Sequence, residues 1–346
     1  MDTMANYRGG SMKKELIAFL DTRPEDDESF RRLELNTSMV LRICKADMTS
    51  YNGFIWPEKG HVEAPDWDDT EECGNGLHGW FEAQGDADCS DYLNEPDARY
   101  LVLEVETDSI IHLDGKCKFP KADVVFVGSR NEAIAYIEKT YPYLRTMPLL
   151  FANRTAGDSG VVATGDYGTA TAGDYGTAIA GNYGTVKVGY YGTAKAGYYG
   201  TATAGKYGTA TAGTYGTATA DFCGTATVGD FGTATAGFRG TATAGDRGTA
   251  TVGEYGTATA GKRGTATVGD CGTAKAGDCG TAIAGDRGTA IAGIRGTVKV
   301  GSSGIIQIHY FTDRARIAIG YIGEKGLKPN VKYKLDANHN FVEDVS

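Results

Sequence analysis

The chain lacks an apolar run long enough to span a bilayer, a paired-cysteine metal pattern and a dense basic stripe. The first absence argues against a transmembrane helix, which needs about 20 apolar residues in succession. The second argues against a zinc site of the paired C-x2-C type. The third argues against nucleic-acid binding. Cysteine is also scarce, with seven in 346 residues. The odd number and wide spacing offer no disulfide framework. No signal-peptide pattern is seen, so a reducing, cytoplasmic setting without a membrane partner is expected. Charge is unevenly placed. Residues 1–156 hold 29 acidic and 17 basic residues (net −12), residues 157–308 hold 10 and 11 (net +1), and residues 309–346 hold 5 and 6 (net +1). A near-neutral middle region neither attracts a nucleic acid nor mimics one.

What the chain has is a period. From Gly157 to Ile308 one eight-residue unit recurs nineteen times, most often as G-D-Y-G-T-A-T-A. Such regularity specifies a repeat architecture. In the unit Gly165–Ala172, the glycines bracket two variable residues. They read as a tight corner, with Gly165 and Gly168 supplying positive φ. Thr169-Ala170-Thr171-Ala172 then alternates with period two, the pattern of a strand. The second and fourth strand positions are Ala or Val almost throughout. The third is Thr, Ile or Lys, with Lys187, Lys195, Lys275 and Lys299 there. A lysine ammonium does not belong in a thin dry interior, so Ala and Val face inward. One octad cannot close around a core but two can. The expectation is a mainly β protein built on a two-sided β-solenoid with 16 residues per coil and about nine and a half coils. At roughly 4.8 Å per coil the rod would be about 45 Å long.

The variable positions are patterned too. The third corner residue is Tyr at 167, 175, 183, 191, 199, 207 and 215 (Tyr167, Tyr175, Tyr183, Tyr191, Tyr199, Tyr207, Tyr215). Further on it includes Cys223, Phe231, Tyr255 and the arginines Arg239, Arg247, Arg263, Arg287 and Arg295. With alternate octads stacked, these residues form an aromatic ladder along each edge that gives way to arginine. Tyr and Arg are common interface anchors, so the edges are candidate surfaces for self-association or a protein partner. Nine consecutive octads, from Gly197 to Val268, carry Thr at both outward positions. Thr219, Thr235 and Thr251 stand in this field, a candidate for ordering water. The Gly-bracketed corners, T-x-T strands, corner tyrosines and late arginines resemble the octapeptide repeats of bacterial ice-nucleation proteins. That resemblance implies a β-solenoid and, as one alternative, ice binding.

Residues 36–150 read as a small acidic α+β domain and residues 151–308 as the solenoid, after a flexible or tag-like segment at 1–35 in which Met12 is a second candidate start. Ser38–Cys44, Arg99–Glu106 and Ala122–Val127 read as strands. Asn131–Thr140 reads as a helix with Ala133, Ile134 and Ile137 on one face. The motifs G-F-I-W-P, E-A-P-D-W, C-G-N-G-L-H-G and G-K-C-K-F-P resemble an N-terminal module of bacterial and phage proteins that is also followed by octapeptide repeats. The resemblance implies a bacterial or phage-encoded protein and carries over no catalytic residue.

Three chemistries compete in this domain. Cys73, His78 and Cys89, with Cys44 as a fourth, are candidate metal ligands, against the plainer reading of Cys73 as a buried small hydrophobe. Cys73 with His78 is a candidate nucleophile pair. Arg42, His78, Asp91-Tyr92 and Glu104-x-Glu106 resemble an ADP-ribosyltransferase pattern, which implies a nucleotide-handling enzyme, although the Ser-Thr-Ser strand of that pattern is missing. Solvent-facing carboxylates on an alternating strand explain Glu104 and Glu106 equally. The expectation is a non-enzymatic scaffold or binding protein with no cofactor, closing in a small β cap over residues 309–346. In the cap Thr312-Asp313-Arg314 is a hairpin turn and V-K-Y-K-L a strand.

Overall fold

A computed structural model describes residues 36–345. The reading of residues 1–35 as a tag-like segment lies outside them. The N-terminal domain is one antiparallel sheet. Its strands are β1 (Thr37–Cys44), β2 (Gly60–Glu63), β3 (Leu77–Phe81), β4 (Arg99–Glu106), β5 (Ile111–His112), β6 (Cys117–Phe119) and β7 (Lys121–Gly128), in the order β2-β7-β4-β1-β3-β6-β5. Side chains alternate across the sheet. Met39, Leu41, Ile43, Tyr100 and Val102 fill one core. Val40, Cys44, Leu101, Leu103 and Val105 fill the other.

Helix α1 (Arg130–Thr140) covers the first of these faces, burying Ala133, Ile134 and Ile137 as the period implied. It starts where the Ser129 amide donates to Glu132 Oε2 at 2.8 Å, the second half of a capping box.

The repeats form the expected two-sided β-solenoid. Alternate octads pair in parallel, Thr169 with Thr185 and Thr177 with Thr193, so each coil takes sixteen residues. Two sheets result, of twelve and eleven strands including the cap. Inward Ala and Val side chains are buried from Val162 to Val300, with Ala196 only partly so. The exposed outward positions include Lys187 and Lys195.

The corners work differently from the expectation. The third corner residue carries the positive φ, between 52° and 60° at every position from Ser159 to Ser303, including all the tyrosines and arginines. A bulky residue in this region costs roughly 1–2 kcal/mol. It is held there because its amide donates to the coil ahead, as Tyr175 N does to Tyr190 O at 2.7 Å. The bracketing glycines are needed for space. A Cβ on Gly208 would lie 2.8 Å from Ala204 Cβ and 2.9 Å from the Gly192 carbonyl oxygen.

The rod also starts before its first Gly-bracketed unit. Asn153–Ala156 pairs in parallel with Thr169–Ala172. Phe151 occupies the third corner position with φ 62°, and its amide donates to Asp166 O at 2.9 Å. Leu149, Leu150 and Phe151 belong to the core of the N-terminal domain. Phe151 packs edge-on against Trp80 and Tyr100, at 5.8 and 5.7 Å, and tilted against Tyr167 at 6.0 Å. Arg154 bonds Glu138 Oε1 at 3.0 Å and the carbonyls of Leu144, Met147 and Ala163. The first coil is therefore shared between domain and rod.

At the other end Ile305–Phe311 and Ala315–Tyr321 form the expected hairpin, and Lys332–Leu335 pairs antiparallel to Thr297–Val300. Tyr333 enters the rod core. Reversing the strand direction and inserting bulk ends the parallel stack, which limits edge-to-edge growth.

Candidate functional site

One face of the rod carries a regular array of threonines. Five successive strands, from Thr201–Ala204 to Thr265–Val268, carry Thr at both outward positions, and the register places like over like. Thr219 pairs with Thr235 and Thr235 with Thr251. The opposite face carries four such strands, from Thr209–Ala212 to Thr257–Ala260. Hydroxyls recur about every 4.8 Å along the rod and about 6.7 Å across it. Each Thr offers a hydroxyl and a methyl group on a rigid backbone, so the array is regular in both directions. Lys187 and Ile283 interrupt it on the two sides of the five-strand block.

The edges carry the stacked ladders. On one, Tyr167, Tyr183, Tyr199, Tyr215 and Phe231 stack at 4.8, 5.2, 4.9 and 4.9 Å. Arg247 then lies over Phe231 at 5.5 Å, followed along that edge by Arg263 and Arg295. On the other, Tyr175, Tyr191 and Tyr207 stack at 5.3 and 5.0 Å. Arg239 and Arg287 follow there, and the five arginines are exposed. From Tyr175 to Tyr215 the ladder tyrosines remain exposed despite the stacking.

A second side-chain ladder was missed in the sequence. Asp or Asn at the second corner position accepts the amide of the same position one coil on, as Asp166 Oδ1 does from Asn182 N at 2.7 Å and Asp230 Oδ1 from Asp246 N at 2.8 Å. Its signal was the sixteen-residue recurrence of Asp and Asn.

In the N-terminal domain the structure gathers some candidates and separates others. Arg42, Cys73, His78, Cys89, Asp91 and Tyr92 line one cavity of about 380 Å³, with Tyr51, Trp80 and Lys116. Glu104 and Glu106 do not join them. Strand register pairs Glu104 with Met39 and Arg42 with Leu101, and alternation puts the glutamates on the opposite face from Arg42. Glu104 Oε1 accepts from Tyr141 Oη at 3.1 Å, and Glu106 lies 3.9 Å from Lys121 Nζ. The ADP-ribosyltransferase-like grouping is therefore not assembled.

The metal reading is corrected as well. Among the described residues no group of three His, Cys, Asp or Glu side chains is placed to hold a metal ion. Burial and the positive charges of Lys116 and Arg42 push the His78 pKa down to about 4, a field that disfavours a cation. Cys73 is exposed, so it is not the buried small hydrophobe expected. Cys44 is buried, and desolvation raises its thiol to about 11, far from a reactive thiolate.

Arg42 itself is constrained. Its guanidinium lies over Trp56 at 5.5 Å and donates through Nη1 to the His78 carbonyl at 3.1 Å. Nearby, the loop through Asp68 is tied down by Lys118, buried on β6, whose ammonium donates to Asp68 Oδ1 at 2.9 Å and the Glu72 carbonyl at 3.0 Å. No helix among the described residues is long and apolar enough to cross a membrane.

Comparison with known proteins gives two kinds of match. Residues 38–135 match the family model described as a domain of unknown function (DUF7666). Over 101 residues the chain is 39% identical to an ice nucleation protein of Pseudomonas fluorescens, covering 29% of this chain and 8% of that protein. It is 40% identical over 108 residues to one from Pseudomonas syringae pv. syringae, covering 30% and 9%. It is 37% identical over 107 residues to one from Xanthomonas campestris pv. translucens, covering 30% and 7%. The matched region thus spans less than a tenth of the length of these relatives. No solved structure matches. The chain joins a domain of unknown function to a β-solenoid whose repeats resemble those of ice nucleation proteins.

Proposed function

We propose that the protein is a rigid scaffold whose rod orders water and binds ice through the T-x-T face from Thr201 to Thr267. The observation that carries this reading is the five-strand block of paired threonines in parallel register. The names of the relatives support it. Size argues for adsorption to existing ice rather than efficient nucleation by one molecule. Five rows at about 4.8 Å span roughly 20 Å, a small template for an ice embryo. The test is partition into a slowly grown ice shell. Wild-type protein should enter the ice, and a Thr219→Lys/Thr235→Lys/Thr251→Lys variant should be left in the liquid. Equal exclusion of both would overturn the reading. Lys is native at this position at 187, 195, 275 and 299, so the variant rod should fold.

A second reading is favoured by the exposed, pre-stacked tyrosines. They offer two flat aromatic edges for a second copy of the chain. Replacing Tyr183, Tyr199 and Tyr215 with Ser clears one edge, and replacing Tyr175, Tyr191 and Tyr207 clears the other. This reading expects one of the two variants to lower the sedimenting mass, and an unchanged mass in both would rule it out.

A further inference from the structure

The cavity beside β1 has a composition that the rest of its domain does not. Residues 1–156 carry a net charge of −12, yet the charged groups lining this cavity are Arg42, Lys116 and Asp91, one more positive than negative. Arg42 makes no ion pair among the described residues. Its Nη1 is used by the His78 carbonyl, but its Nε is buried and has no partner. Leaving a buried charged donor unsatisfied is costly. His78 Nε2 is buried without a partner too. Arg42 and His78, on neighbouring strands, line one cavity of about 380 Å³, within the range of small-molecule sites.

The lining fixes what the cavity could hold. Guanidinium forks match planar or tetrahedral oxyanions. Lys116 adds a second cation, and Tyr51 and Tyr92 add aromatic and hydroxyl surface. The backbone is brought close by Gly79 on β3, where a Cβ would lie 2.4 Å from Val40 Cγ1 and 2.7 Å from the Leu41 carbonyl oxygen. No side chain can therefore stand between β1 and β3 at this point.

We propose that this cavity binds a small molecule through an oxyanion, a phosphate or a carboxylate, held by Arg42 and Lys116. Cys73, Cys89 and Asp91 line the cavity without being needed for the oxyanion contact. The site is separate from the rod and needs no ice-related activity.

The experiment is an NMR titration of the intact protein, following the imidazole resonance of His78 among the five histidines. The probes are glycerol phosphate and lactate, with sodium chloride at matched ionic strength. A saturable His78 shift with glycerol phosphate assigns a phosphoryl ligand, and one with lactate assigns a carboxylate. Arg42→Gln should weaken the binding by about tenfold to a hundredfold, the loss expected for a hydrogen bond to a charged group. Lys116→Gln, on a half-buried residue outside both cores, keeps the test open should the Arg42 variant misfold, and it should weaken binding severalfold. Wild-type shifts that only follow chloride would overturn the proposal, as would identical saturation in wild type and Lys116→Gln.

Discussion

Gly232→Ala separates two physical effects of opposite sign. Glycine to alanine at a compatible backbone angle stabilises a protein by about 0.4–1 kcal/mol, because the unfolded chain loses freedom. At Gly232 φ is not positive, so the angle raises no objection. Space does. A Cβ there would lie 2.8 Å from Val228 Cβ and Cγ2 and 2.9 Å from the Gly216 carbonyl oxygen of the preceding coil. The two coils would have to separate by about half an ångström, and overpacking of this kind costs typically 1–3 kcal/mol. The clash outweighs the entropy term, so the net expectation is a loss of about 1–2 kcal/mol. Gly157→Ala is the internal control, because a Cβ there meets nothing within 4 Å. It should be neutral or slightly stabilising. Denaturant unfolding followed by far-ultraviolet circular dichroism reads both. Equal effects at the two positions, or a more stable Gly232→Ala protein, would refute the argument that these glycines are there for close approach between coils.

Two further outcomes follow from the same structure. Ala234 is fully buried between the two sheets, so Ala234→Leu should destabilise the rod by about 1–3 kcal/mol, seen as a lower midpoint in the same unfolding assay. His78 has a folded-state pKa of about 4, depressed by burial and by Lys116 and Arg42 below its ordinary 6.5. Above pH 6.5 the ring is neutral in both states. As pH falls toward 4 the unfolded chain takes up the proton first, so this contribution to the stability of the N-terminal domain is lost. Urea midpoints at pH 7 and pH 5 should fall in wild type and fall less in His78→Asn, and an equal fall in both would contradict the assignment.

The rod was readable because its unit is short and its substitutions are informative. Lys187, Lys195, Lys275 and Lys299 marked the outward face, and sixteen residues per coil followed from the need to close around a core. The corner was misread because glycine is so often the residue of positive φ. Here the inter-coil amide bond holds Tyr and Arg in that region, and the glycines answer to Cβ contacts that one unit cannot reveal. Leu149, Leu150 and Phe151 serve the N-terminal core as well as the rod, so domain and rod share the first coil. In the N-terminal domain, β1, β4, β7 and α1 showed in their alternation and period. Whether Arg42 and Glu104 meet was not legible. That depends on strand register, which puts them on opposite faces, and on the β3 and β6 segments that bring His78, Cys73, Cys89 and Lys116 to Arg42.

The outward threonines are the proposed working surface of the rod. Thermal hysteresis of the intact protein, measured beside the Thr219→Lys/Thr235→Lys/Thr251→Lys variant at equal concentration, tests it directly. A freezing-point gap is expected in the wild-type protein and is lost in a variant whose circular dichroism is unchanged. The same gap in both proteins, or none in either, would contradict it.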